Sequence, residues 1–186
     1  MTEDKRGLII LQGGEEVKNR VNKSLFKQLS ELTEGGNILV VPWSTSSIKK
    51  EIEYRSVLEN YFRECGFINI EFLEREMDSS EIKKKIKESD IVYLPGGDTD
   101  ILWKEMSDRK MGTMLEEFHG IIVGNSAGAI VLSLGSWIDG IFYPGFGIVD
   151  FYVKVHFIPG HKAEVYDKKK PTLCIPEGMW ISLNRL

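Results

Sequence analysis

Cysteine is nearly missing from this chain: its 186 residues hold only Cys65 and Cys174. Two thiols so far apart form neither a disulfide framework nor a metal-ligating set, and a reduced cytoplasmic setting is the simplest expectation. An excess of basic residues is lacking too. With 24 Lys+Arg against 28 Asp+Glu the formal net charge is −4, which argues against a nucleic-acid partner. No apolar run approaches the roughly 18–20 residues of a membrane span. Met1-Thr2-Glu3-Asp4-Lys5-Arg6 does not open like a signal peptide, so no membrane partner is expected. Internal repeats, low-complexity tracts and interdomain linkers are also absent. Residues 1–186 read as one domain, long enough to bury a sizeable core.

What is present alternates. Gly7-Leu8-Ile9-Ile10-Leu11-Gln12 is a short continuous apolar run closed by Gly13-Gly14, the pattern of a strand buried on both faces. Glu15 to Leu32 follows with helical spacing of Val17, Val21, Leu25, Phe26, Leu29 and Leu32, stopped by Gly35-Gly36. Asn37 to Pro42 is a second strand. Ser44-Thr45-Ser46-Ser47 offers caps for a helix from Ile48 to Cys65, which Gly66 ends. Phe67–Leu73 and Asp90–Leu94 are further strands around a short helix, Ser79–Ser89, whose Lys83-Lys84-Lys85 is a solvated face. Helices from Asp98 to Met106 and Thr113 to His119 precede an apolar run, Gly120–Val123.

This strict β-α order predicts an α/β fold: a three-layer αβα sandwich with a mostly parallel central sheet. Beyond Ser136 the pattern loosens. Trp137, Phe142, Tyr143 and Phe146 suggest a hairpin or irregular packing segment. Phe151–Phe157, Thr172–Ile175 and Trp180–Leu183 look like short strands.

In parallel sheets ligands bind beyond the carboxyl ends of the strands. Gly13-Gly14, Pro42-Trp43-Ser44, Pro95-Gly96-Gly97 and Asn125-Ser126 all lie there, so one rim should hold them. Gly124-Asn125-Ser126-Ala127-Gly128 is a Gly-x-Ser-x-Gly turn between strand and helix, which exposes a serine at the sheet edge and makes Ser126 a candidate nucleophile. Such a serine needs a base. Of the three histidines, His119 ends a helix at the far end of the sheet. His156 closes a strand that could reach the rim, and His161 in the loop beyond is the reserve.

The base needs an orienting carboxylate, and Asp139, Asp150, Glu164, Asp167 and Glu177 are all available. Glu177 is distinctive, held by Pro176 and Gly178 directly after a strand. Asp98 and Asn125 flank the site, where they would contact substrate or cap their helices. Pro95-Gly96-Gly97 lacks both the Gly-x-Gly-x-x-Gly spacing and a Walker lysine, which weakens a nucleotide-binding reading.

Three motifs in order, Leu94-Pro95-Gly96-Gly97-Asp98-Thr99, Gly124-Asn125-Ser126-Ala127-Gly128-Ala129 and Ile175-Pro176-Glu177-Gly178-Met179-Trp180-Ile181, together with His156-Phe157, carry a resemblance. The chain resembles the peptidase E and cyanophycinase family of serine peptidases, whose fold is class I glutamine amidotransferase-like (flavodoxin-like). The resemblance implies Ser126 as nucleophile, His156 as general base and Glu177 as the acid that orients it. It implies main-chain amides of Gly97 and Ala127 as the oxyanion hole, an acyl-enzyme, a small peptide substrate that includes aspartyl peptides, and no metal or organic cofactor. The order Ser, His, Glu differs from the Ser, acid, His order of α/β-hydrolases.

The interval from His156 to Glu177 offers Lys162 and Lys168-Lys169-Lys170 but no arginine to hold an acidic substrate. Two other classes stay open. One is a catalytically weak or inactive binding protein on the same scaffold. The other is an amide-transfer relative, which would need a cysteine where Ser126 stands. Sequence leaves a monomer and a homodimer equally open.

Overall fold

A computed structural model describes residues 7–15, 17–161 and 169–185 of the chain. Met1–Arg6, Lys162, Glu164, Asp167 and Lys168 lie outside the described residues. In chain order the elements are β1 (Leu8–Gln12), α1 (Lys23–Leu32), β2 (Asn37–Val40), α2 (Ile48–Cys65), β3 (Asn69–Phe72), α3 (Ser79–Glu88), β4 (Ile91–Leu94), α4 (Thr99–Asp108), α5 (Met111–Glu116), β5 (Ile121–Asn125) and α6 (Ala127–Leu132). Five short strands follow: β6 (Gly135–Ile138), β7 (Ile141–Pro144), β8 (Tyr152–Lys154), β9 (Thr172–Cys174) and β10 (Trp180–Asn184).

Six strands form the central sheet in the order β10-β1-β5-β4-β2-β3. Every pairing is parallel except that of β10, which runs antiparallel along β1 from Leu8↔Asn184 to Gln12↔Trp180. The continuous apolar runs are explained by burial on both faces. Ile9, Leu11, Leu39, Val92 and Ile122 pack towards α3 to α6. Ile10, Ile38, Val40, Ile91, Tyr93 and Val123 pack towards α1 and α2. The expected αβα sandwich with a mostly parallel sheet is therefore what forms.

On the α1/α2 face, Phe26, Tyr61, Phe62 and Tyr93 meet edge-on, with ring centroids 5.0 Å apart for Phe26–Phe62 and 5.2 Å for Phe62–Tyr93. Such pairs contribute about 0.5–1.5 kcal/mol each beyond the area they bury. This cluster also fixes Tyr61, whose hydroxyl points towards the sheet rim. Helix α2 follows its sequence signals to the residue: the Ser47 side chain accepts the N–H of Lys50 at 3.4 Å, and Gly66 ends the helix in a left-handed conformation, φ 103°. The lysine cluster on α3 stays on the surface but is paired, Lys83 with Glu117 and Lys85 with Glu71.

Two expectations are corrected. The helix predicted over Glu15–Leu32 is a 3-10 turn at Val17–Asn19 and a true helix only from Lys23. Arg20 adopts a positive φ of 54°, and the Glu15 carboxylate takes the N–H of Asn22 at 2.8 Å. Both interrupt a helical ladder, and Val21, which the spacing turned inward, is exposed. The strand predicted over Phe151–Phe157 stops at Lys154, and β8 pairs with β9 in a separate two-stranded ribbon. The aromatic segment after Ser136 is a hairpin, β6 against β7, with Trp137 and Phe142 in contact at 5.4 Å.

Candidate active site

Strand β5 delivers Asn125 to the rim, and the chain then turns sharply. Ser126 sits at φ 50° and ψ −106°, a conformation that costs a non-glycine residue on the order of 1–3 kcal/mol. The turn is close-packed on both sides. A Cβ on Gly124 would lie 2.6 Å from Gly128, and one on Gly128 would lie 2.2 Å from the Leu94 carbonyl oxygen. Only glycine fits at either position. The Ser126 side chain does not cap α6; its Oγ lies 2.8 Å from His156 Nε2 instead.

His156 also has a positive φ, 50°, and its N–H donates to the Gly13 carbonyl at 2.6 Å. Its ring Nδ1 lies 3.3 Å from Glu177 Oε2. Glu177 is carried on the turn between β9 and β10, where the N–H of Gly178 donates to the Gly14 carbonyl at 2.8 Å. The three residues that the motifs singled out therefore lie in one line, although their sequence segments are far apart. The His156 and Glu177 side chains are 51% and 62% exposed, so the pair faces solvent and its attraction is screened.

The other candidates lie elsewhere. His119 precedes β5 at the opposite end of the sheet. Asp150 pairs with Lys170, and Asp139 occupies the hairpin turn between β6 and β7. Glu164 and Asp167 fall outside the described residues.

The loop after β4 backs the serine. A Cβ on Gly96 would stand 3.3 Å from that of Ser126. Among the described residues neither the Gly97 nor the Ala127 N–H donates to an acceptor. Ser44 holds this loop: its Oγ donates to the Gly96 carbonyl at 2.8 Å, and its own carbonyl accepts the N–H of Asp98 at 2.8 Å. Asp98 caps α4 by accepting the Ile101 N–H at 3.0 Å, and it is not part of the adjoining cavity wall. Asn125 is. It is buried, with Nδ2 donating to the Glu15 carbonyl at 3.4 Å.

A cavity of about 390 Å³ opens beside Ser126 and His156, lined among others by Glu15, Lys18, Ser44, Lys50, Glu51 and Tyr54. Glu51 is tied to Arg55 and Arg75. Lys18 and Lys50 have no ion-pair partner among the described residues. No three His, Cys, Asp or Glu side chains among the described residues converge as a metal site. Among them, too, no helix is long and apolar enough to cross a membrane.

Sequence reasoning missed Glu15, Lys18, Lys50 and Tyr54. Only the position of Glu15, directly after Gly13-Gly14 on the rim, could have flagged any of them. Glu15 is 8% exposed. Its Oε1 accepts the Asn22 N–H at 2.8 Å and the Tyr61 hydroxyl at 2.9 Å, while Oε2 is buried without a partner among the described residues.

Burial raises the Glu15 carboxyl above the ordinary glutamate range, opposed by the bonds from Asn22 and Tyr61. The folded state thus prefers the protonated form, and stability is lost as pH rises from the ordinary carboxylate range through the raised value. The groups facing Glu15 do not titrate in that window. The Tyr54, Tyr61 and Tyr93 hydroxyls are pushed up by burial, and the Cys65 thiol is pushed up to about 11. Glu15→Gln removes the buried charge, so its Tm relative to the unsubstituted protein should rise between pH 4 and pH 8. Thermal melts at the two pH values measure this, and a difference that is flat or falls with pH would refute it.

The mostly parallel α/β sheet thus carries at its rim a strained serine with a histidine in contact. The chain belongs to peptidase family S51, whose model matches residues 8–182, and it is accordingly a peptidase of the serine class. Among solved structures, a peptidase from an acI-B1 Actinobacterium shares the fold at TM-score 0.75 and 21% identity, over 96% of this chain and 84% of that one. A peptidase E protein from Listeria monocytogenes EGD-e superposes at TM-score 0.67 and 16% identity, over 96% of this chain and 95% of that one. No curated protein matches the sequence.

Proposed function

We propose that the protein hydrolyses amide bonds of small peptides through a Ser126-His156-Glu177 triad. The observation that carries this reading is the 2.8 Å contact between Ser126 Oγ and His156 Nε2, with Glu177 next in line at 3.3 Å from Nδ1. In this reading Oγ attacks the scissile carbonyl while Nε2 takes its proton. Nδ1–H donates to Glu177, which fixes the tautomer and stabilises the imidazolium. The tetrahedral oxyanion accepts hydrogen bonds from the N–H groups of Gly97 and Ala127, a contribution of about 2.7–4 kcal/mol per donor in comparable sites. Collapse expels the amine, which takes the proton from Nε2. Water, deprotonated by the same nitrogen, then releases the acid and regenerates Oγ–H. The chemistry calls for no metal or organic cofactor.

Substrate preference follows from the cavity. Lys18 and Lys50, neither ion-paired among the described residues, bring positive charge to a wall whose Glu51 is already tied to Arg55 and Arg75, which favours an acidic side chain next to the scissile bond, as in aspartyl peptides. Lysines from the first half of the chain take the part for which the His156–Glu177 interval has no arginine. The reading carries with it a cytoplasmic setting and neither nucleic acid nor membrane as partner.

A small dialkyl fluorophosphonate tests it. Covalent labelling should map to Ser126 alone, and an aspartyl dipeptide should be turned over and should compete with the label. Binding of the dipeptide without turnover or labelling would favour the alternative of an inactive binding protein.

A further inference from the structure

One four-residue segment is bonded to Ser126, to His156 and to the two residues that follow Glu177. The Gln12 carbonyl accepts the Ser126 N–H at 3.1 Å, and the Gly13 carbonyl accepts the His156 N–H at 2.6 Å. The Gly14 carbonyl accepts the Gly178 N–H at 2.8 Å, while the Gly13 N–H donates to the Met179 carbonyl at 3.0 Å, which holds the chain directly after Glu177. The Glu15 carbonyl accepts Asn125 Nδ2 at 3.4 Å, beside the serine. Residues 12–15 are thus the jig on which nucleophile, base and acid are set relative to one another. The jig is anchored at one end by β1, in the middle of the sheet. Its other end is a loop, and a loop holds a sub-ångström geometry only if something pins it.

We infer that Glu15 is a positioning residue for catalysis: its buried carboxylate, tied to the Asn22 N–H and the Tyr61 hydroxyl, pins the free end of the segment that aligns Ser126, His156 and Glu177. The ties go to Oε1 alone. One is a backbone N–H at the start of α1, and the other is a hydroxyl held by the aromatic cluster between α1 and α2. The segment is therefore fastened to the rigid layer beneath the sheet. A residue with no such task would not leave Oε2 buried with no partner among the described residues, at a cost of about 1–3 kcal/mol. This inference rests on the triad reading given under Proposed function.

The test is the rate of fluorophosphonate labelling, resolved into its maximal rate and its half-saturating concentration. Glu15→Leu keeps the bulk but loses both ties; its maximal rate should fall at least about 30-fold, as expected for a misplacement on the order of 1 Å, with half-saturation within twofold. Glu15→Gln keeps the Oε1 acceptor and should restore the rate to within about threefold. Should Glu15→Leu fail to fold by circular dichroism, Tyr61→Phe decides. It removes one tie, keeps the ring packing, and should slow labelling about fivefold without altering the fold.

Three results would overturn the inference: labelling of folded Glu15→Leu or of Tyr61→Phe at the unsubstituted rate, equal slowness of Glu15→Leu and Glu15→Gln, or a change confined to half-saturation. Fast labelling of Ser126 in these variants leaves the triad standing and removes only the role of Glu15. No labelling of the unsubstituted protein removes both.

Discussion

Ser126→Ala is expected to lower peptide turnover by about 10⁴–10⁶-fold, the range seen when one member of a triad is deleted. The same variant should melt within a few degrees of the unsubstituted protein. Oγ has one contact, His156 Nε2, on a half-exposed imidazole that water can satisfy. The strained φ of 50° at this position is no worse for alanine than for serine. The pairing of lost chemistry with retained stability separates a catalytic group from a structural one. His156→Ala should be nearly as inactive, and the double variant no worse than either single one, because the two act as a unit. Turnover above a tenth of the original in Ser126→Ala would end the proposal.

Gly14→Ala should disable the site with a single methyl group. Gly14 has φ 139°, and a Cβ there would lie 2.1 Å from His156 Cε1 and 2.5 Å from Nδ1. The backbone of His156 cannot retreat, because its N–H is bonded to the Gly13 carbonyl at 2.6 Å. The ring must therefore swing away from both Ser126 and Glu177. Turnover should drop at least about 100-fold, with stability lower by about 1–3 kcal/mol from backbone strain. Gly140→Ala is the control. Its φ is 80°, yet a Cβ there meets nothing within 4 Å, so it carries backbone strain alone and should leave turnover within about twofold. Equal turnover in the two variants would show that the close approach of Gly14 to the imidazole is unimportant.

Much of the architecture was legible because its causes are local. Continuous apolar runs such as Leu8–Leu11 and Ile91–Leu94 read as doubly buried strands. The Ser47 and Gly66 caps marked α2 correctly at both ends. The Gly-x-Ser-x-Gly turn and Ile175-Pro176-Glu177-Gly178 marked two parts of the candidate site. What stayed hidden is whatever depends on which strands become neighbours. No local pattern says that β1 lies between β5 and β10, and that arrangement is what brings Gly13 and Gly14 against His156.

Glu15 stands only as the start of a helical spacing in the sequence. Its burial depends on Asn22 and Tyr61, and the second of these lies on another helix. Lys18 and Lys50 were overlooked for the same reason. Each looks like a surface lysine until the fold turns it towards the serine.

The antiparallel pairing of β10 with β1 bears on when the enzyme becomes competent. Glu177 precedes β10, and the turn that carries it is fastened to Gly13 and Gly14 at the end of β1. During synthesis the four-stranded block β5-β4-β2-β3 can close from contiguous chain, and Ser126 then stands in place. Glu177, the acid of the proposed triad, arrives only when β10 zips along β1, among the most distant pairings the sheet contains and so among the slowest to close. On the triad reading, a nascent chain would therefore hold a folded serine turn before its acid is in place, and hydrolysis would begin with the closing of a single strand.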